Sequence, residues 1–202
     1  CIRVPLDLGR ELQGIDLPPS GNMRVAGLTL VADGQSRPLN LSGLFTHRGI
    51  SFQGESYGHS LSLDGRDHAF PAEGLPGTNR MNCGHGDAVW QPGPMTAGER
   101  NMLKVNGQAL PVPPGKYERL DILCTAIDSP APRRDVISLK YAGQTRYAPM
   151  KVSDWCRAVS DDYAFPKPLV ADALDLLGLA WLAAGDPRPG VVQLEKALGL
   201  DS

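Results

Sequence analysis

Short apolar runs alternate with turn residues through the first three quarters of this chain. Glycine, proline, asparagine or aspartate bounds each run, and most of the 23 glycines and 18 prolines precede residue 150. Runs of this length and spacing predict β-strands joined by turns. The predicted strands cover residues 2–8, 25–32, 39–45, 50–52, 61–63, 102–105, 117–126, 136–141 and 147–152.

The number of runs favours a mainly β fold, an antiparallel β-sandwich or jelly roll. Residues 120–126 indicate a strand buried on both faces, whereas residues 138–141 alternate between polar and apolar side chains, as a half-buried strand does. Residues 1–35 either begin the sandwich or form the end of a preceding domain. Turns are predicted at four dipeptides, Asp64-Gly65, Asn106-Gly107, Pro114-Gly115 and Ala142-Gly143.

The hydrophobic period changes after Trp155. Residues 169–200 are rich in alanine and leucine, carry apolar positions at helical spacing, and are interrupted once at residues 185–187. This pattern predicts two helices joined by a turn. The sequence therefore predicts a β-sandwich over residues 1–156, a linker over 157–170 and a helical hairpin over 171–202.

Charge and hydropathy exclude two classes of partner. The formal net charge is -2 and the chain has no long basic or acidic run, so it lacks the positive surface expected of a protein that binds nucleic acid or anionic membrane. The longest apolar stretch, residues 176–184, is much shorter than the roughly 20 residues that span a bilayer. We expect neither nucleic acid nor membrane as a partner.

The four cysteines, Cys1, Cys83, Cys124 and Cys156, form no CxxC pair. Their wide spacing argues against a zinc ribbon or a thioredoxin-like redox site. Of the possible pairings, Cys124 with Cys156 is favoured because both cysteines lie in or beside predicted late strands. The alternative is that the cysteines are buried free thiols.

Residues 171–202, ADALDLLGLAWLAAGDPRPGVVQLEKALGLDS, resemble a single tetratricopeptide repeat. The residues that carry the resemblance are Leu174, Leu177, Gly178 and Trp181 in the first helix, and Gly190, Leu194 and Ala197 in the second. Such repeats are stabilised by stacking on neighbours. The resemblance therefore implies a hairpin that docks on the sandwich, pairs with another chain or continues into further repeats, and that serves as a protein-interaction site.

Residues 37–155 resemble a jelly-roll accessory domain of bacterial glycoside hydrolases. The matching segments are RPLNLSGLFTHRGISF, DGRDHAFPAEGLP, NMLKVNGQALPVPPGKYERLDILCTA and PMKVSDWC, in which residues 47–50 match the family's Gly-Ile turn and residues 153–155 its closing Ser-Asp-Trp. The resemblance implies a galactose-binding-like sandwich for carbohydrate recognition or domain packing. It also implies that the chain is part of a larger extracellular or periplasmic glycoside hydrolase.

Sugar binding by a sandwich needs an exposed aromatic ring with polar groups nearby. The best aromatic candidates, Trp90 and Tyr57, lie in the irregular stretch 65–98 and its flank. The candidate ligand-binding residues are Trp90, Tyr57, His59, Asp64, Asp67, His68 and His85. Trp90 has a second interpretation as a buried plug, and Trp155 is expected in the core.

The sequence predicts no catalytic residues, because it contains no G-x-S-x-G motif and its histidines lack the spacing of metal ligands. We expect no cofactor, although the oxygen-rich run from Asp64 to Asp67 would suit a structural calcium ion. A non-catalytic binding module is therefore the leading hypothesis. The alternatives are a protein-interaction scaffold acting through residues 171–202, or a small hydrolase that uses loop carboxylates, taken from Glu55, Asp64, Asp67 and Glu73.

Overall fold

A computed structural model describes residues 1–52, 55, 61–75, 80–82, 87–96, 98–129 and 133–155, and this part of the chain is mainly β. Two short 3-10 helices, Ser42–Leu44 and Ala72–Gly74, interrupt the strands. The strands are β1 Ile2–Pro5, β2 Leu12–Asp16, β3 Met23–Ala32, β4 Gln35–Pro38, β5 Ile50–Ser51, β6 Phe70–Pro71, β7 Arg80–Asn82, β8 Asp87–Val89, β9 Leu103–Lys104, β10 Ala109–Gly115, β11 Arg119–Ala126, β12 Arg133–Tyr141 and β13 Gln144–Val152.

Two antiparallel sheets form the body of the molecule. The five-stranded sheet has the order β1-β11-β3-β4, with β9 paired to β3, and the four-stranded sheet has the order β10-β2-β12-β13. The first three strands thus pair with late strands, β1 and β3 with β11, and β2 with β12. The segment 1–35 therefore contributes to both sheets.

The main core lies between the two sheets. Leu12 and Ile15 of β2 face Leu28 and Leu30 of β3, and each of these side chains is at most 1% exposed. Ile137 of β12 joins them at 0% exposure. On β12 the buried side chains, Ile137, Leu139 and Tyr141, recur at every second position because a pleated strand turns alternate residues to opposite faces.

A second apolar layer covers the other face of the five-stranded sheet. We call it the outer cluster; it consists of Ala26, Ile50, Leu63, Trp90, Met102, Ile127 and Trp155. All ten residues of β3 are consequently buried. At Gly27 a Cβ would lie 3.3 Å from the Trp90 ring, so a residue without a side chain lets the indole approach the strand closely.

Two of the predicted strands are wrong. Residues 39–45 contain the 3-10 helix Ser42–Leu44 instead, because the Asn40 side chain accepts a hydrogen bond from the backbone N–H of Ser42 at 3.0 Å and so initiates a turn. Residues 61–63 form only an isolated bridge, between Ser62 and Arg48.

Three of the four predicted turns are confirmed, and one is wrong. Gly65, Gly107 and Gly143 have φ values of 81°, 75° and 80°, which is the left-handed region that glycine enters without steric cost. Pro114-Gly115 is not a turn, because Gly115 pairs with Leu12 inside β10. This strand was missed because it is rich in proline, and it accommodates proline because it is an edge strand.

The predicted Cys124–Cys156 disulfide is also wrong. Cys124 is a free thiol, opposite Val25 in the pairing of β11 with β3, and it packs against the main core. Cys1 is disulfide-bonded, and its partner lies outside the described residues.

The linker predicted over 157–170 and the hairpin predicted over 171–202 also lie outside the described residues. Within the part of the chain that the structure describes, no helix is long and apolar enough to cross a membrane.

Candidate functional site

Three of the predicted ligand-binding residues meet in the turn between residues 61 and 68. The His68 ring nitrogen Nδ1 lies 2.7 Å from Asp64 Oδ2, and the other carboxylate oxygen of Asp64 accepts the backbone N–H of Arg66 at 2.9 Å. The backbone N–H of Asp67 donates to Ser62 Oγ at 3.0 Å. The Asp64 side chain is only 4% exposed, so its carboxylate organises the turn and presents little surface to a ligand.

The His68 ring is fixed from a second side by Trp155. The two ring centroids are 5.3 Å apart at an interplanar angle of 42°, and Phe70 meets the same indole edge-on at 6.1 Å. His68 remains 40% exposed. The turn therefore presents one oriented imidazole edge above a buried aromatic group.

Trp90, the leading aromatic candidate, is 5% exposed and belongs to the outer cluster. It fills the space over Gly27 and presents no ring face to solvent. Tyr57, His59 and His85 lie outside the described residues. Among the described residues, no three His, Cys, Asp or Glu side chains come together as a group that could hold a metal ion.

The most exposed aromatic ring of the described residues lies elsewhere, on the solvent face of the four-stranded sheet. Tyr147 of β13 is 71% exposed and lies directly opposite Ser138 of β12. One pleat further along, Val136, which is 50% exposed, lies opposite Pro149. The ring therefore stands on the solvent face of the sheet and has an apolar neighbouring pair on one side.

Polar groups flank Tyr147 on its other side. Asp16 of β2 lies opposite Ser138 and forms an ion pair with Lys140, whose Nζ is 2.8 Å from Asp16 Oδ1. Thr145 lies opposite Lys140 on β13. We call these five residues, Asp16, Ser138, Lys140, Thr145 and Tyr147, the outer face. It combines one aromatic platform with hydroxyl, carboxylate and ammonium groups.

A family model described as the AziU2-like beta-sandwich domain matches residues 35–181. This chain is a member of the AziU2-like β-sandwich domain family. No curated protein and no solved structure matches it.

The AziU2-like match extends from β4 through β13 and past Trp155. It therefore includes Tyr147, Ser138 and Lys140 of the outer face, and it leaves out Asp16 on β2. The match supports the sandwich predicted from the sequence, and it reaches into the residues for which a linker and a helical hairpin were predicted.

Proposed function

We propose that this AziU2-like domain is a non-catalytic carbohydrate-binding module and that the outer face is its binding surface. The observation that carries the proposal is the 71% exposure of the Tyr147 side chain on a regular, solvent-facing sheet. An isolated aromatic ring of this size costs free energy to hydrate. A ligand with one apolar face would relieve that cost.

The apolar C–H face of a pyranose ring fits such a platform, because it stacks on an aromatic ring while the hydroxyl groups point outward. The hydroxyls then need donors and acceptors at the rim. Ser138 lies one strand away from Tyr147, and Asp16 lies two strands away, roughly 10 Å given the usual strand spacing. At these distances from Tyr147, Ser138 would contact the stacked sugar, and Asp16 would contact the next sugar of an oligosaccharide.

The disulfide at Cys1 supports the expectation that the module works outside the cytoplasm, because disulfides persist in oxidising compartments. An extracellular or periplasmic location would suit a module that accompanies a glycoside hydrolase. We include that catalytic neighbour in the proposal, on the resemblance of residues 37–155 alone.

The test is a glycan array with the intact chain, followed by titration calorimetry on any saccharide that binds. Tyr147→Ala should weaken binding about 3- to 10-fold, the equivalent of a single lost stacking contact. Tyr147→Phe keeps the ring and should bind within about 2-fold of the unaltered chain.

The matched control is Tyr117→Phe, because Tyr117 is 2% exposed and lies in the main core. A silent array would overturn carbohydrate recognition. Binding that is equal in the unaltered chain and in Tyr147→Ala would overturn the assignment of the outer face.

A further inference from the structure

Four basic side chains gather at one end of the five-stranded sheet, on the face that carries the outer cluster. We call them the basic cluster, Arg24, His47, Arg100 and Lys104. Arg24 of β3 lies directly opposite Lys104 of β9 in an antiparallel pair. Like charges in this position repel each other, so a negatively charged group bound between them would stabilise the pair.

The Arg24 and Lys104 side chains converge on Gly21. Arg24 Nη1 donates to the backbone carbonyl of Gly21 at 2.9 Å, and also to that of Met23 at 3.2 Å. Lys104 Cε lies 3.7 Å from the position that a Cβ of Gly21 would occupy. The two cations are therefore close in space as well as in register.

Arg24 is 3% exposed, and within the part of the chain that the structure describes it has no carboxylate partner. Its Nη1 donates to two backbone carbonyls, but its Nε has no hydrogen-bond partner among these residues. Across the described residues, no carboxylate oxygen lies within 4 Å of the Arg24 or Lys104 side-chain nitrogens. Charged side chains are almost never fully buried unless they are paired.

The nearest carboxylates already have other partners. Burial lowers the pKa of Arg24 to about 10, and the more distant charges of Asp64 and Asp128 oppose that shift. Asp64 is engaged by His68 at 2.7 Å, and Asp128 by Arg66 at 3.1 Å. Neither carboxylate forms an ion pair with Arg24.

His47 reports the same excess of positive charge. Burial and, after it, the charges of Arg24, Lys104 and Arg100 together lower its pKa from 6.5 to about 4. Its Nδ1 lies 3.0 Å from Thr46 Oγ1, which also accepts the backbone N–H of Lys104 at 2.8 Å. The ring is thereby fixed, neutral, beside the two converging cations.

We propose that the basic cluster is a binding site for an oxyanion group of a ligand, a carboxylate, sulfate or phosphate. Lys104 would contact the group directly, and the guanidinium of Arg24 would supply the buried positive charge beneath it. Planar and tetrahedral oxyanions are the groups that such cations hold through charge-assisted hydrogen bonds. The site is separate from the outer face and goes beyond the proposed saccharide stacking.

The experiment titrates the intact chain with inorganic phosphate, inorganic sulfate and glucuronate at constant ionic strength, and follows thermal unfolding and amide chemical shifts. Glucose serves as the uncharged control. We expect saturable stabilisation by at least one of the three anions and none by glucose. The anion that binds most tightly identifies the source: glucuronate a sugar carboxylate, phosphate or sulfate an esterified ligand.

Two variants of the exposed Lys104 avoid disturbing the buried Arg24. Lys104→Gln should weaken anion binding by about 5-fold or more. Lys104→Glu places an opposite charge across from Arg24, so it should raise the melting temperature in the absence of anion and abolish the response to anion. Lys116→Gln, on another exposed lysine, should behave like the unaltered chain.

Two results would overturn the proposal. One is the lack of a saturable response to any of the three anions. The other is anion binding that Lys104→Gln and Lys104→Glu leave unchanged.

Discussion

Asn101 pairs with Ile50 through its side chain in the way that one β-strand pairs with another. Its Oδ1 accepts the backbone N–H of Ile50 at 3.0 Å, and its Nδ2 donates to the carbonyl of the same residue at 2.7 Å. Oδ1 also accepts the backbone N–H of Gly49 at 3.0 Å. Asn101 is 0% exposed, so one amide supplies the partners that the two-residue strand β5 does not obtain from a long sheet.

Removal of that amide should be costly. We expect Asn101→Ala to lower the free energy of unfolding by about 2–4 kcal/mol, because it leaves buried backbone N–H groups without an acceptor. Urea unfolding followed by tryptophan fluorescence measures the change. The control is Asn22→Ala at an exposed asparagine, which should stay within about 0.5 kcal/mol. Equal stability of the two variants would contradict the bridging role.

A second stability prediction concerns Gly93, which is buried beside the same asparagine. A Cβ at this position would lie 2.7 Å from both Asn101 Cα and Phe45 Cε2. Gly93→Ala should therefore destabilise the fold by about 1–3 kcal/mol through overpacking.

Gly43→Ala is the matched control, since a Cβ there meets nothing within 4 Å. Thermal unfolding of the pair should separate the two variants by several degrees for a domain of this size. If both melt together, the close packing around Gly93 is refuted.

The stability of the fold should also depend on pH through His47. Burial, and then the charges of Arg24, Lys104 and Arg100, lower its pKa in the folded chain to about 4, from 6.5. Between these values the unfolded chain binds a proton that the folded chain does not, so stability falls as pH drops through this window. We expect a loss of about 1–2 kcal/mol, reduced because the ring is partly solvated.

The measurement compares His47→Gln with the unaltered chain in urea at pH 7.5 and at pH 4.5. The variant should lose less stability than the unaltered chain on acidification, because it has no group to protonate at that position. Parallel losses in the two proteins would exclude His47 as a source of the pH dependence.

Cys124 should be an unreactive thiol in the folded chain. Burial raises its pKa to about 11, and the thiolate is the species that reacts with alkylating reagents. At pH 8 we expect alkylation on the order of 100-fold slower than that of a free cysteine. Peptide mapping by mass spectrometry follows Cys124 itself, and labelling in urea provides the reference rate. Rapid labelling of the folded chain would contradict the raised pKa of this partly buried thiol.

The hairpin of β12 and β13 shows how much of the structure can be predicted from the sequence alone. The alternation from Ser138 to Tyr141 and the turn at Ala142-Gly143 were both recognised, and both are confirmed. A two-residue turn fixes the register, so Ser138 must face Tyr147. The same alternation then places Tyr147 on the solvent face. The sequence signal for an exposed aromatic at Tyr147 is therefore present, although the aromatic residue that composition favours is Trp90, which is buried.

Other features could not be predicted from the sequence, because they depend on contacts between segments that are far apart in the chain. The burial of Trp90 requires Gly27 beneath its ring, more than sixty positions earlier in the chain. The opposition of Arg24 and Lys104 depends on a strand pairing of similar separation. Neither local composition nor periodicity encodes such registers, and the predicted disulfide of Cys124 failed for the same reason.

Because of the outer cluster, the two outward faces of this sandwich differ in how many substitutions they tolerate. A substitution beneath Trp90 disturbs β3, because that strand is enclosed on both faces. Substitutions at solvent-facing positions of β12 and β13 carry no such cost. A library that randomises Ser138, Thr145 and Tyr147 should therefore yield mostly folded proteins, so the solvent-facing side can change in sequence while the opposite side stays fixed.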